Sequence, residues 1–235
     1  MNHTNVHYNK DNYREYLYTG LIGFIFRYQH HKLSPNFMLN EKKVLEVGPG
    51  FEPHIKFKKL NFEEYHCVEL SKSSELKEYF EKEFPYIFFK NYDGKKIEHP
   101  DNTFDRIIIS HTLEHVQNPE NFINEMLRVL KTNGHISIAL PCDNGFLWRM
   151  GRFLLKKTYH KIRGFSEVDF NYFIANEHIN TIFQLLSIFK KKFNLTSEIY
   201  LPFRLKVPDF NLIYICHIQK KNNMSKNSDE TIIDI

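Results

Sequence analysis

The chain has 235 residues, 42% of them hydrophobic, which is enough for one sizeable domain with its own core and too few for two of ordinary size. A formal charge of +4 falls well short of the positive density of a dedicated nucleic-acid binder, and Leu21 to Phe26, the longest apolar stretch near the N-terminus, is far too short to span a bilayer. Cys67, Cys142 and Cys216 are widely spaced and show no C-x-x-C pattern, so reduced, buried thiols in a cytoplasmic protein without a secretion signal are expected.

Residues 1–40 read as an N-terminal helical extension: the first ten are polar, and between 11 and 30 Tyr, Leu, Ile and Phe recur as in a helix lying over a sheet, before Pro35 ends the region. From Lys43 short apolar runs predict buried strands at Val44–Val47, Tyr65–Val68, Ile87–Phe89, Arg106–Ile109 and His135–Leu140. Between them fall a short helical piece after Pro53, a helix from Ser71 to Phe84 with Ser71 as its N-cap, and a helix from Pro119 to Leu130 preceded by Asn118. Gly134 is placed to stop that last helix and return the chain to a strand. A further helix over Ile179–Phe193 and strands at Leu195–Tyr200 and Leu212–Gln219 complete the pattern. It predicts an α/β fold, doubly wound, with a mostly parallel seven-stranded sheet spanning 41–219. Residues 142–175, aromatic and basic, predict a helical cap inserted after the fifth strand, and 220–235 a disordered tail.

The sharpest local signal is Val44-Leu45-Glu46-Val47-Gly48-Pro49-Gly50, where a buried strand runs into a turn with two glycines. It resembles motif I of the class I S-adenosylmethionine-dependent methyltransferases, and the resemblance implies that Glu46, Gly48 and Gly50 cradle the amino-acid part of S-adenosyl-L-methionine. The third glycine of the pattern is replaced by Glu52, followed by Pro53, which argues against a dinucleotide fingerprint and leaves the loop shape open. Glu69, with Leu70 beside it, closes the second strand twenty-three residues after Glu46, the spacing at which a carboxylate accepts both hydroxyls of a ribose. After the third strand, Asp93 and Gly94 form either an adenine-binding position or an ordinary Asp-Gly turn.

The run from Asn102 to Val116 resembles the family's fourth strand and the segment after it, with Ser110 and His111 at the carboxyl end where open α/β sheets bind ligands. Asp105, at the strand's start, reads as structural. Glu114 and His115 resemble a pair frequent in small-molecule members, with packing and helix capping as the alternatives; they do not form H-E-x-x-H, so no zinc site is expected. Leu130 to Ile138 matches the family's helix, Gly turn and fifth strand. The ordered resemblance covers about half the chain.

Methyl transfer to oxygen usually needs a general base, and His111 and His178 are the candidates. His178 lies in Asn176-Glu177-His178-Ile179-Asn180, similar to an element of methyltransferases found among surface-polysaccharide genes; the alternative is a helix cap with an exposed imidazole. Trp148, Arg149, Arg152, His178 and Asn180 are the candidate acceptor-binding residues, and Lys156, Lys157, Lys161 and Arg163 extend the basic block, which otherwise is a solvated face. The leading expectation is methylation of oxygen or nitrogen on a small, anionic acceptor such as a sugar or sugar nucleotide. A lipid acceptor reached through peripheral membrane contact of Leu147 to Phe165, and a non-catalytic binding protein on a degenerate fold, are the alternatives. Nucleic-acid methylation is disfavoured, because Asn-Pro-Pro-Tyr and Asp-Pro-Pro-Tyr are absent and Pro141-Cys142 follows the fifth strand rather than the fourth. The oligomeric state is not legible.

Overall fold

The structure is a computed structural model that describes residues 20–34, 41–70, 73–153 and 178–220, together with Val168, Tyr172 and Asn176. In chain order the elements are α1 (Gly20–Leu33), β1 (Lys43–Val47), β2 (Glu64–Glu69), α2 (Ser74–Glu83), β3 (Phe88–Asn91), β4 (Phe104–Ser110), α3 (Pro119–Val129), β5 (Leu130–Pro141), α4 (Ile182–Lys192), β6 (Leu195–Leu201) and β7 (Ile213–Gln219). They form one seven-stranded sheet of order β3-β2-β1-β4-β5-β7-β6. The sheet is mixed: β1 to β5 pair in parallel, whereas β7 runs antiparallel between β5 and β6. The expected mostly parallel sheet therefore carries one reversed strand near its edge.

Side chains alternate across the strands and feed two cores. Leu45, Val47, Ile107 and Ile109 join Phe122, Ile123 and Met126 of α3 and Leu185 and Phe189 of α4 on one face. Val44, Tyr65, Ile108 and Ile215 join Phe26 and Leu33 of α1 and Leu76 and Phe80 of α2 on the other. Each fully buried side chain of this size contributes about 1.5–3 kcal/mol. Glu46 and Arg106 fall on the α1 and α2 face by the same alternation, and both are buried.

Helix boundaries follow local capping. Asn118 caps α3, its side chain accepting from Asn121 N, and Pro119 occupies the first turn as expected. The cap of α2 is Ser73, which accepts from Leu76 N, so this helix starts later than predicted; Ser71 lies outside the described residues. The last long helix begins at Ile182 rather than Ile179, because Thr181 and Gln184 form a reciprocal capping box. Gly134 does not end a helix. β5 begins at Leu130 directly after α3 and runs through Gly134, where a Cβ would stand 2.8 Å from the Asp105 carbonyl. Asp105 is structural: it accepts from Lys43 N and pairs with Lys131.

Candidate active site

The loops after β1, β2 and β3 meet at the carboxyl edge of the sheet. Gly48 and Gly50 have φ of +71° and +52°, a region that L side chains enter at a cost, so the turn after β1 depends on both glycines. Gly48 N donates to Val68 O at 2.9 Å, and a Cβ at Gly48 would stand 2.5 Å from Thr112 Oγ1. Gly50 N donates to Glu69 Oε2 at 3.1 Å, and Leu70 N donates to Glu69 Oε1 at 2.9 Å. The turn after the first strand and the carboxylate closing the second are thus in contact, and Leu70 is exposed beside them and beside Gly94. Asp93 Oδ1 accepts from Lys95 N and Lys96 N, which builds the Asp-Gly turn and holds its carboxyl below the usual range.

The absent third glycine has a structural counterpart. Glu52 pairs with Lys56 at 2.8 Å, and after Pro53 the chain makes a short 3-10 turn, His54–Lys56. Glu46 pins its start, accepting from His54 N at 2.8 Å and from Tyr65 Oη at 2.7 Å. Burial pushes the Glu46 carboxyl up to about 7, against the opposing pull of those two donors. Glu46 is 1% exposed and acts on the shape of the loop from behind it. His54 in turn meets His30 at 3.0 Å and Ser34 at 2.5 Å, so α1 is tied to the same loop.

The opposite wall is built at the ends of β4 and β5. Ser110 ends β4, and His111 follows with φ of +52°. α1 covers His111: Phe26 stacks on its ring, Gln29 Oε1 lies 2.8 Å from Nε2, and Glu114 Oε1 lies 3.6 Å from Nδ1. Asn180 Nδ2 donates to the carbonyls of Leu113 and Val116, while its backbone N donates to Glu114 O. These bonds to the chain itself bring His178 against His115, with ring centroids 4.9 Å apart.

His178 Nδ1 lies 2.5 Å from Asp143 Oδ2, and Asp143 Oδ1 lies 2.7 Å from an Arg152 nitrogen. Burial alone would raise the Asp143 carboxyl, but hydrogen bonds and charge from His178 and Arg152 outweigh it and bring it down to about 2. An ionised carboxylate only accepts, so the proton between the pair sits on His178 Nδ1. The structure thus joins His178 and Arg152 through Asp143, which sequence reasoning missed. The available signal was its place, two residues past the end of β5 at the ligand-binding edge. Trp148 Nε1 donates to Leu212 O and its ring packs on the core, whereas Arg149 is exposed on the helical run 146–153. Lys156, Lys157, Lys161 and Arg163, and most of the cap, lie outside the described residues.

An open α/β sheet of this strand order, with a glycine turn and a carboxylate converging at its carboxyl edge, defines the Rossmann-like class I methyltransferase fold. Residues 45–138 match the family model described as a methyltransferase domain, and this match together with the fold supports a class I S-adenosylmethionine-dependent methyltransferase. Solved structures share the fold at low identity. A SAM-dependent methyltransferase of Thermotoga maritima, described as a possible histamine N-methyltransferase, is 18% identical, with 90% of this chain and 95% of that one covered at a TM-score of 0.58. The N-methyltransferase NodS of Bradyrhizobium japonicum in complex with S-adenosyl-L-homocysteine is 12% identical, with 91% and 98% covered at 0.61. An S-adenosylmethionine-dependent methyltransferase of Mesorhizobium loti is 14% identical, with 86% and 100% covered at 0.58. No curated protein sequence matches the chain at a significant level. No helix among the described residues is long and apolar enough to cross a membrane.

Proposed function

We propose that the chain methylates an oxygen or nitrogen of a small, anionic acceptor, with sugars and sugar nucleotides as the first class to try. The residues fit the cofactor: apart from Gly50 and its chain neighbours, no heavy atom lies within 4 Å of where a Gly50 Cβ would stand, and this open cradle adjoins the Glu69 carboxylate. Gly48 and Gly50 would present backbone to the amino-acid part, and Glu69 would accept from the ribose hydroxyls. When bound, the cofactor supplies a methyl group on a positive sulfonium, whose charge disperses as the methyl passes in line to a nucleophile. The protein's task is then to align the acceptor, exclude water and take a proton.

The observation that carries the acceptor side is the 2.5 Å contact between His178 Nδ1 and Asp143 Oδ2. With Nδ1 protonated and held by Asp143, a neutral His178 presents Nε2 as a lone pair suited to accepting the acceptor's proton, and the carboxylate stabilises the imidazolium that forms. Arg152, joined to Asp143, and Arg149, one turn away, place positive charge at this edge. His111 is held by Gln29 and α1, an arrangement suited to orienting the β4 end.

Two measurements test this. Calorimetry with S-adenosylhomocysteine should show binding, and its absence in the folded protein would remove the cofactor assignment. Release of labelled S-adenosylhomocysteine over a panel of sugars, sugar nucleotides and amines should identify the acceptor. With that acceptor, His178→Ala should lower turnover by about 10²–10⁴-fold while leaving cofactor affinity nearly unchanged. Full activity in this variant would rule out His178 as the proton acceptor.

A further inference from the structure

Glu114, His115 and His178 each offer one donor atom, a carboxylate oxygen and two imidazole nitrogens, and these three lie within 4.8 Å of one another. The Glu114 residue is 3% exposed, and its Oε2 is buried with no hydrogen-bond partner among the described residues. Its Oε1 lies 3.6 Å from His111 Nδ1 and 4.0 Å from His115 Nε2. A buried carboxylate oxygen without a partner is costly, and a cation at the centre of this cluster would offset that cost. From this geometry we propose that Glu114, His115 and His178 form a binding site for a divalent transition-metal ion of the zinc type.

The surroundings support the assignment. Metal-binding imidazoles commonly give their second nitrogen to a carboxylate, and His178 Nδ1 is committed to Asp143, which leaves Nε2 for the ion. Asn180, bonded to the Leu113 and Val116 carbonyls, holds the His178 segment against the Glu114–His115 turn. Two imidazoles and one carboxylate with open positions are the donor set of catalytic zinc sites, whereas magnesium sites are built of oxygen donors. At bond lengths near 2.0–2.1 Å such ligands stand about 3.4 Å apart, so the donors must draw in by roughly an ångström. His115, 38% exposed at its side chain, has room to do so. The expectation of no zinc site came from a local motif, and the third ligand stands sixty-three residues beyond His115. With the ion in place His178 Nε2 is a ligand rather than the proton acceptor, and the ion's open positions would take an acceptor oxygen and lower the pKa of its hydroxyl in place of that base. In that respect the inference deepens the proposed function and rests on its reading of this edge as the acceptor side.

The test uses the full chain stripped with a chelator and returned to metal-free buffer. Dialysis against Zn²⁺ with metal analysis should give one ion per chain, and Co²⁺ should give the visible absorption of a low-coordinate nitrogen and oxygen site. His115→Ala and His178→Ala should each weaken binding at least tenfold, and Asp143→Asn by about 10–100-fold. A folded, stripped protein that takes up no ion, or an affinity unchanged in both histidine variants, would overturn the site. Calorimetry with S-adenosylhomocysteine on the same stripped samples reports separately on the cofactor cleft. Loss of that signal with intact metal binding would sink the methyltransferase reading and support the ion site.

Discussion

Gly48 and Gly50 share a left-handed backbone but differ in what surrounds them, and that difference separates stability from binding. A Cβ at Gly48 would meet Thr112 Oγ1 at 2.5 Å, and this hydroxyl is held by the Val47 and Ser110 carbonyls. Gly48→Ala should therefore destabilise the fold by about 2–3 kcal/mol, from backbone strain and the displaced threonine together. A Cβ at Gly50 meets nothing within 4 Å, so Gly50→Ala should cost only the backbone term of about 1–2 kcal/mol. On the proposed cofactor placement the same methyl would stand in the cradle, so affinity for S-adenosylhomocysteine should drop by at least tenfold. Urea denaturation and calorimetry on the two variants check both halves, and a Gly50→Ala protein with unchanged affinity would move the cofactor elsewhere. These glycines and Glu69 were legible in the sequence because their geometry is encoded within a few residues of each strand end. Asp143 was not, because its role depends on His178 and Arg152, which approach it only in the folded chain. Glu46 was recognised by position, yet its partners His54 and Tyr65 come from a turn and a neighbouring strand.

The same distinction holds among the elements. All seven strands were legible, because buried β-rich runs bounded by turns leave a strong local pattern, and α3 was legible from its apolar stripe and its Asn-Pro start. The insertion of β7 between β5 and β6, and the passage of β5 through Gly134, are pairing decisions that no local pattern records. Nor does the pattern of β4 announce how α1 is fastened to the sheet. Arg106, fully buried in β4, reaches Glu41 at 3.0 Å, the Leu33 carbonyl at the end of α1, and Ser137 of β5 at 3.3 Å. Burial raises the Glu41 carboxyl while Arg106 opposes that rise, so the two charges depend on one another. Removing one partner of a buried pair leaves the other uncompensated, a loss of about 3–5 kcal/mol. Arg106→Met should show a loss of that size in chemical denaturation, and adding Glu41→Gln should recover part of it. A single variant as stable as the parent would mean that the Arg106 pair does not fasten α1, leaving that to its apolar contacts and to the His30–His54 and Gln29–His111 bonds.

Buried histidines give the whole molecule a predictable response to acid. Burial lowers His30 to about 3, with like charge from His111 and His31 adding to it, and lowers His217 to about 4, with Arg106 and His135 adding. His54 is also pushed well below the ordinary imidazole value by burial, with His30, Arg106, His31 and Lys58 adding. A depressed folded-state pKa means that the unfolded chain takes up protons first, so the stability these groups contribute is present above pH 6.5 and is lost as pH falls below it. Glu46 works in the other direction. Its folded value of about 7 exceeds the ordinary 4.5, so the folded state gains one proton in the same window and recovers some stability as pH falls. Three protons refused against one accepted leave a net difference of about two, or roughly 2.7 kcal/mol per pH unit near pH 5.5. Half-buried His99 and His135, both lowered chiefly by burial, act in the same direction as the other histidines. Urea midpoints between pH 7 and pH 5 should therefore fall steeply, while Glu46 alone would make them rise. Replacing His217, which meets Ser137 Oγ at 2.9 Å, by Gln removes one refused proton and should cut the slope by about half. A flat profile across that range would show that these imidazoles take up protons in the folded chain, and with it that water reaches the layer between α1 and the sheet.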